Sequence, residues 1–228
     1  GDMGVFSFDS TAGALVGITA NDDLMPTAYE EASTGVSSKG VTGVGSTNVI
    51  GYKNTFSGVT VSAGYTNGEG STATAESGGS GPGAHGSTTD IYVSMTAMEG
   101  LTLSGGASKN SSTKNGATGA ETNEYVAHAV YATGPVSVGY RMGSSNSGAV
   151  GTATQNVTAY SIAFNVNENF AISYGEQEVA HEAISATAAV TEEVSAISAA
   201  YTVGAASVRF HRSEASNAAH VQGTDDEH

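Results

Sequence analysis

The side chains that could carry out chemistry are histidines, carboxylates and hydroxyls, and their spacing matches no catalytic or metal-binding motif. The six histidines are His85, His128, His181, His211, His220 and His228. No two of them have the HExxH spacing of a zinc site on a helix. A metal site could form where His228 follows the carboxylates at 225–227, but a solvated loop has the same composition. We therefore expect neither a bound metal nor a cofactor.

Two further matches to catalytic patterns lack the structural setting that the chemistry needs. Ser111 and Lys114 have the Ser-x-x-Lys spacing, but they lie in a stretch of Gly, Asn and Ser with no helix to hold a nucleophile. Residues 78–83 are rich in glycine, yet no Gly-Lys-Ser/Thr sequence follows, as a phosphate-binding loop requires. The sequence therefore predicts that this protein is not an enzyme.

The composition excludes several other classes of protein. The chain has 228 residues, of which 22 are acidic and 7 basic, and its formal net charge is −15. Binding to nucleic acid needs Lys and Arg to neutralise phosphates, so we expect no nucleic-acid partner. The chain has no cysteine, which excludes disulfides and thiolate metal sites. No apolar run approaches the roughly 20 residues of a membrane-spanning helix.

Apolar and polar residues alternate with a period of two along most of the chain, as at 101–104, 136–141 and 160–166. Successive side chains of a strand point to opposite faces, so this pattern predicts strands with one apolar and one polar face. Eleven strands are predicted, at 3–9, 47–55, 59–67, 88–98, 101–109, 122–133, 136–143, 157–166, 170–176, 194–203 and 206–212. The Ala- and Glu-rich segment 184–194 is assigned to a loop.

The connections between these strands alternate between short and long. Tight turns are predicted at 57–58, 99–100, 134–135, 167–169 and 204–205. Long stretches rich in Gly, Ser and Thr are found at 68–87, 110–121, 144–156, 177–193 and 213–228. Short turns at one end and long loops at the other are typical of transmembrane β-barrels, whereas a β-sandwich needs a turn every ~8–12 residues. We therefore predict an all-β antiparallel meander that forms a transmembrane β-barrel.

Two segments near the start of the chain carry a family resemblance. Residues 1–9 (GDMGVFSFD), followed by 22–26 (DDLMP), resemble the centre of general bacterial outer-membrane porins, especially of the alphaproteobacterial type. In that family an Asp-x-Gly-x-Phe strand leads into an outer loop that folds inward and narrows the pore. After Pro26 the chain departs from the pattern, since many members have Glu-Phe-Gly-Gly where this chain has residues 27–30 (TAYE).

The resemblance implies an organisation as well as a function. Residues 1–228 would form a single partial β-barrel domain with about 11 of an expected 16 strands, an internal fragment that lacks the first strands and the last one. Residues 10–46 would contain the infolded constriction loop. The function would be passive diffusion of ions and small hydrophilic solutes through a homotrimer in the lipid of the outer membrane.

The residues that would line the narrowest part of such a pore divide by charge. The acidic side, on the infolded loop, would consist of Asp22, Asp23, Glu30 and Glu31. The basic side would come from the barrel wall, at Arg141, Arg209 and Lys53. Their parity is opposite to that of the apolar residues, and a charge that faces lipid at mid-depth costs ~2–4 kcal/mol, so we expect them to face the lumen. An acidic lumen would prefer cations. The structural alternative is a solvated acidic loop with arginines at the rim.

A second function fits the composition equally well. Low charge, abundant Thr, Ser and Gly and the absence of cysteine are also natural in a secreted or surface-anchored β-rich adhesin or S-layer-like structural protein. Neither interpretation requires a cofactor.

Overall fold

All strands in the described part of the chain belong to one continuous sheet. The computed structural model describes residues 3–9, 25–36, 49–66, 87–110, 121–148, 153–184 and 188–228. The sheet has 12 strands, which follow one another in sequence order. They are β1 (Val5–Asp9), β2 (Val49–Phe56), β3 (Val59–Thr66), β4 (Thr88–Met98), β5 (Leu101–Asn110), β6 (Thr122–Thr133), β7 (Val136–Ser147), β8 (Gln155–Asn167), β9 (Phe170–His181), β10 (Val190–Val203), β11 (Ala206–Ser216) and β12 (Asp225–Glu227).

Every neighbouring pair of strands is antiparallel, and β1 and β12 form the two edges of the sheet. The prediction of an all-β antiparallel meander is confirmed. Within the described ranges, no helix is long and apolar enough to span a membrane.

The short turns all lie at one end of the sheet, as the spacing of turn residues predicts. They join β2 to β3, β4 to β5, β6 to β7, β8 to β9 and β10 to β11. Gly100 shows why these turns need glycine, because its φ of +78° lies in the left-handed region that side chains disfavour. At the other end, the strands extend further than the alternation indicates. β7, β9, β10 and β11 run four or five residues beyond their predicted limits, towards the long connections.

The two faces of the sheet differ in chemistry. One face exposes large apolar side chains such as Ile91, Ile162 and Ile197, which are 50%, 46% and 54% accessible. We call it the apolar face. The opposite, polar face carries buried polar side chains, among them Glu124 and Arg141. A soluble protein places these two kinds of surface the other way round, so the apolar face needs an apolar environment outside the chain.

Acidic side chains interrupt the apolar face near the long-loop end of β9–β12. Glu178 lies directly opposite Glu193 in the register of β9 and β10. Glu214 lies opposite Glu227, and both carboxylates form ion pairs with Arg212, at 2.6 and 3.8 Å. Charged groups of this kind are tolerated near a membrane surface but are costly at its centre. The apolar band on this side of the sheet therefore ends before these residues.

The loop assignment for 184–194 is wrong in its second half, because β10 begins at Val190. At this end of β10 an apolar residue lies on the polar face, as Val157 of β8 and Val179 of β9 also do. Val194 lies on the polar face, where it is 2% accessible and packs against Ala215 and Ala218. Thr191 and Glu193 lie on the opposite face, so the segment does not show the apolar pattern of the other strands.

The last strand was not predicted either, because β12 (Asp225–Glu227) contains no apolar residue. It pairs with Glu214–Ser216 at the edge of β11. A short 3₁₀ turn at Ala218–His220 brings the chain back to this edge, and Asn217, Ala219 and His220 in and beside it have φ between +52° and +62°. Backbone pairing with the edge of β11 therefore forms this strand, and the pattern of its side chains does not predict it.

Candidate functional site

Residues 25–36 cross the polar face of strands β7–β11, and we call them the crossing segment. At one end, Pro26 packs so closely on β7 that a Cβ at Gly139 would overlap its ring. Further along, the Ala28 amide donates a hydrogen bond of 2.8 Å to Ser173 Oγ on β9. Ala32 lies 3.5 Å from the position that a Cβ of Gly175 would occupy. These contacts show that the crossing segment lies against the wall and not above it.

A row of small residues on the wall makes this close approach possible. Residues in register on consecutive strands β7 to β11 are Gly139, Ser161, Gly175, Ala196 and Ser213. Neighbouring strands are ~4.8 Å apart, so the row forms a shallow track of about 19 Å across the strands. At Gly139 even a Cβ would overlap Pro26, so a larger side chain there would push the crossing segment away from the wall.

Hydroxyl groups on the wall hold the backbone of the crossing segment. Ser198 Oγ donates to the Glu30 carbonyl at 3.0 Å, and Ser213 Oγ donates to the Thr34 carbonyl at 2.8 Å. The ring of His211 lies between the two serines, with Nδ1 at 2.7 Å from Ser198 Oγ and Nε2 in contact with Ser213 Oγ. His211 Nε2 is also 3.3 Å from the Thr34 carbonyl. Two carbonyl groups of an otherwise irregular segment are thus paired with the wall, as buried backbone requires.

Acidic and basic groups meet at the edge of the crossing segment. Glu30 and Glu31 line a cavity of about 20 Å³ together with Arg141 of β7. This volume has room for about one water molecule. Arg141 is 4% accessible and stands in register with His128 on β6. The structure therefore places two of the predicted carboxylates and one predicted arginine in the lining of one narrow gap between the crossing segment and the wall.

The other predicted basic residues have different positions. Arg209 lies on the polar face of β11, and its guanidinium carbon is 5.0 Å from the centre of the Tyr29 ring in the crossing segment. Lys53 is exposed on β2, in register with Ser62, and does not line the cavity beside Arg141. Arg209 is thus part of the site, whereas Lys53 lies elsewhere on the same face.

Part of the predicted loop lies outside the described residues. Asp22 and Asp23 belong to that part, and of the predicted constriction loop at 10–46 only 25–36 is described. The assignment of Asp22, Asp23, Glu30 and Glu31 to an acidic side stays a prediction. So does the assignment of Arg141, Arg209 and Lys53 to a basic side.

Sequence reasoning missed the residues that hold the crossing segment. They are Gly139, Ser173, Gly175, Ser198, His211 and Ser213. Their positions along the strands could have indicated them, because alternation places all of them on the same polar face as Arg141. Small residues at that parity on adjacent strands indicate a wall that another segment can approach closely, but the register that aligns them is not visible in one sequence.

No protein-family model matches the chain, and no curated protein is significantly similar to it. Solved structures are similar in fold. A porin structure superposes with a TM-score of 0.66 at 13% identity, over 94% of this chain and 72% of that one. OmpT, an outer-membrane protein of Vibrio cholerae, gives a TM-score of 0.59 at 17% identity in a variant lacking loop L8, over 100% of this chain and 72% of that one. The trimer form of OmpT gives 0.57 at 15% identity, over 99% and 67%. The chain therefore has the fold of these β-barrel proteins.

Proposed function

We propose that this chain belongs to an outer-membrane porin that lets ions and small hydrophilic solutes diffuse passively, with a preference for cations. The observation that carries the proposal is the crossing segment, which lies against the polar face of the sheet, with Glu30, Glu31 and Arg141 in the lining of the narrow gap beneath it. A polar interior narrowed by a segment of chain selects solutes by size and charge without any reaction. The proposal therefore includes no catalytic residue and no cofactor.

The two faces of the sheet support a location in a membrane. Exposed apolar residues on one face match lipid, and buried polar residues on the other match a water-filled interior. The similar solved structures include a porin and an outer-membrane protein. We place the protein in the outer membrane on this basis, with lipid as the partner of the apolar face.

The preference for cations follows from the side chains near the gap. Charges that line a narrow pore act over distances shorter than the screening length of about 8 Å at physiological salt, whereas carboxylates on distant loops are screened. Glu30 and Glu31 of the crossing segment would attract cations to the narrowed interior, and the charge of Arg141 near them would orient polar solutes. A homotrimer is proposed from the family resemblance and from the trimer form of OmpT.

The experiment that tests this proposal is conductance of the full-length protein in a planar lipid bilayer under a salt gradient. We expect stepwise increases in conductance, with steps grouped in threes, and a reversal potential of the sign that indicates cation selectivity. Replacing the two carboxylates by Glu30→Gln and Glu31→Gln should move the reversal potential towards zero. The matched control, Glu214→Gln on the apolar face, should leave it unchanged. A full-length protein that stays in solution and gives no conductance would contradict the proposal.

A further inference from the structure

His211 is enclosed by four groups that all belong to the attachment of the crossing segment. Ser198 and Ser213 bracket its ring on β10 and β11, and the carbonyl groups of Glu30 and Thr34 lie beyond the two serines. Two carbonyls of the crossing segment thus depend on hydroxyl groups that also contact one imidazole. The direction of each hydrogen bond in this group can be worked out from the chemistry of the atoms.

Each serine hydroxyl has one hydrogen, and a carbonyl oxygen can only accept. If the Ser198 hydrogen goes to the Glu30 carbonyl, Ser198 Oγ can only accept from His211 Nδ1. If the Ser213 hydrogen goes to the Thr34 carbonyl, Ser213 Oγ can only accept from His211 Nε2. Both ring nitrogens must then carry a hydrogen, and only the imidazolium form has two N–H groups.

A neutral ring cannot satisfy the same set of groups. If Nδ1 lacks its hydrogen, it must accept from Ser198, and the Glu30 carbonyl loses its donor. If Nε2 lacks its hydrogen, it must accept from Ser213, and the Thr34 carbonyl loses its donors. In either tautomer the crossing segment gives up at least one hydrogen bond to the wall.

We propose that His211 is a positioning residue whose doubly protonated form fastens the crossing segment to the wall of the pore. This inference deepens the proposed function, because it names the group that would set the width of the gap and make it respond to pH. Protonation keeps both carbonyls paired, so the crossing segment is held most firmly at low pH and is released in part as pH rises. Loss of one such hydrogen bond changes the equilibrium constant between the attached and the detached crossing segment roughly 2- to 12-fold.

The charged and titratable groups around His211 come from each element packed on it. On β11 itself, Arg209 lies two residues away on the same face. The crossing segment contributes Tyr29, Glu30 and Glu31. After β12, the ring of His228 lies 6.1 Å from that of His211. Of these groups, Arg209 and His228 are basic and Glu30 and Glu31 are acidic, and the hydroxyl groups of Ser198 and Ser213 are in direct contact with the ring.

The test measures the motion of the crossing segment separately from conductance. The chain contains no cysteine, so Ser33→Cys provides a single attachment site for a nitroxide label. Electron paramagnetic resonance of the full chain folded in lipid reports the mobility of this label between about pH 5 and about pH 8, the interval in which histidine changes charge. We expect an immobile label at low pH and a mobile fraction that grows as pH rises. In His211→Gln the label should be mobile throughout.

A matched control uses His181→Gln, since His181 lies on the same face but stacks on His220 instead of the crossing segment. This variant should keep the pH response. Ser198→Ala provides a second variant if His211→Gln does not fold. It removes the donor to Glu30 and should abolish the pH response without changing the ring. Circular dichroism confirms that each variant is folded.

The outcomes separate this inference from the proposed function. A pH response that persists in His211→Gln, or a label whose mobility is independent of pH in the parent chain, overturns the role of His211. If the label responds as expected but no preparation conducts ions, the porin proposal fails and the attachment stands. If the chain conducts and the label does not respond, the reverse holds.

Discussion

The ring of Pro26 packs directly on the backbone of Gly139, so that position 139 has no room for a side chain. A Cβ there would overlap Pro26 Cδ and would lie 3.2 Å from the sulfur of Met25. These residues are more than a hundred positions apart in the sequence, and their contact marks where the crossing segment meets the first strand of its track. The position of the crossing segment against β7 therefore depends on the absence of a side chain at position 139.

Gly139→Ala should therefore displace the crossing segment or destabilise the fold. Overpacking of a tight contact typically costs about 1–3 kcal/mol. The measurement is the unfolding midpoint in detergent together with the mobility of a label on the crossing segment. Gly175→Ala is the matched control, because its Cβ would lie 3.5 Å from Ala32, an ordinary contact distance. That change should stay within about 0.5 kcal/mol. Equal effects of the two substitutions would show that the Pro26 contact is not tight.

The pair of Tyr29 and Arg209 should show a measurable coupling. The Arg209 guanidinium lies 5.0 Å from the centre of the Tyr29 ring, which is the geometry of a cation–π interaction. At a partly exposed site such a pair contributes about 0.5–1 kcal/mol. We expect this coupling energy from a double-mutant cycle of Tyr29→Leu and Arg209→Met, measured by denaturant unfolding. The same cycle with Tyr65→Leu should give no coupling, since Tyr65 lies on β3; a comparable value there would count against a specific contact.

A lysine should destabilise the chain to very different extents at two neighbouring positions on β6. Ala129 is on the apolar face and Val130 on the polar face, where it stands in register with Thr102 and Gly139. A lysine that faces lipid costs about 2–4 kcal/mol at mid-depth, whereas a lysine that faces water costs little. Ala129→Lys should therefore reduce the stability of the chain folded in lipid much more than Val130→Lys. If Val130→Lys is the more damaging change, the polar face does not face water.

Ion selectivity should depend on Arg141 much more than on Lys53. Both are cationic and both lie on the polar face, but only Arg141 lines the gap beside Glu30 and Glu31. Arg141→Gln should raise the preference for cations, because the carboxylates would lose the opposing charge. Lys53→Gln should change it little, since salt screens charges beyond about 8 Å. Reversal potentials under a salt gradient measure both effects, and equal shifts would mean that selectivity is set by total charge.

The strands of this protein can be predicted from its sequence because the alternation of side chains depends on local backbone geometry. Alternate residues of a pleated strand point to opposite faces, so Ile162 and its neighbours of equal parity reveal the apolar face without any knowledge of their partners. Glycine at turns such as Gly100 identifies the short connections for an equally local reason. The fold class and most strand limits follow from these two signals.

The same reasoning fails where packing against a distant segment reverses the pattern. Ala32 and Val36 of the crossing segment pack against the buried cluster that contains Val194. The strand β12 forms because the edge of β11 offers backbone groups to pair with. Neither of these interactions can be predicted from the alternation of apolar and polar residues.

The attachment of the crossing segment lies furthest from what one sequence can reveal. Family resemblance predicts an infolded loop, but the partners that hold the described part of it are serines and glycines of ordinary appearance. Ser213 and Thr34 are 179 residues apart, and Ser198 and Glu30 are 168 apart. Such contacts exist only once the strands are aligned in register, because register alone brings the small residues of β7–β11 into one track. Local alternation thus determines the two faces of the sheet, whereas long-range register determines what the polar face can hold.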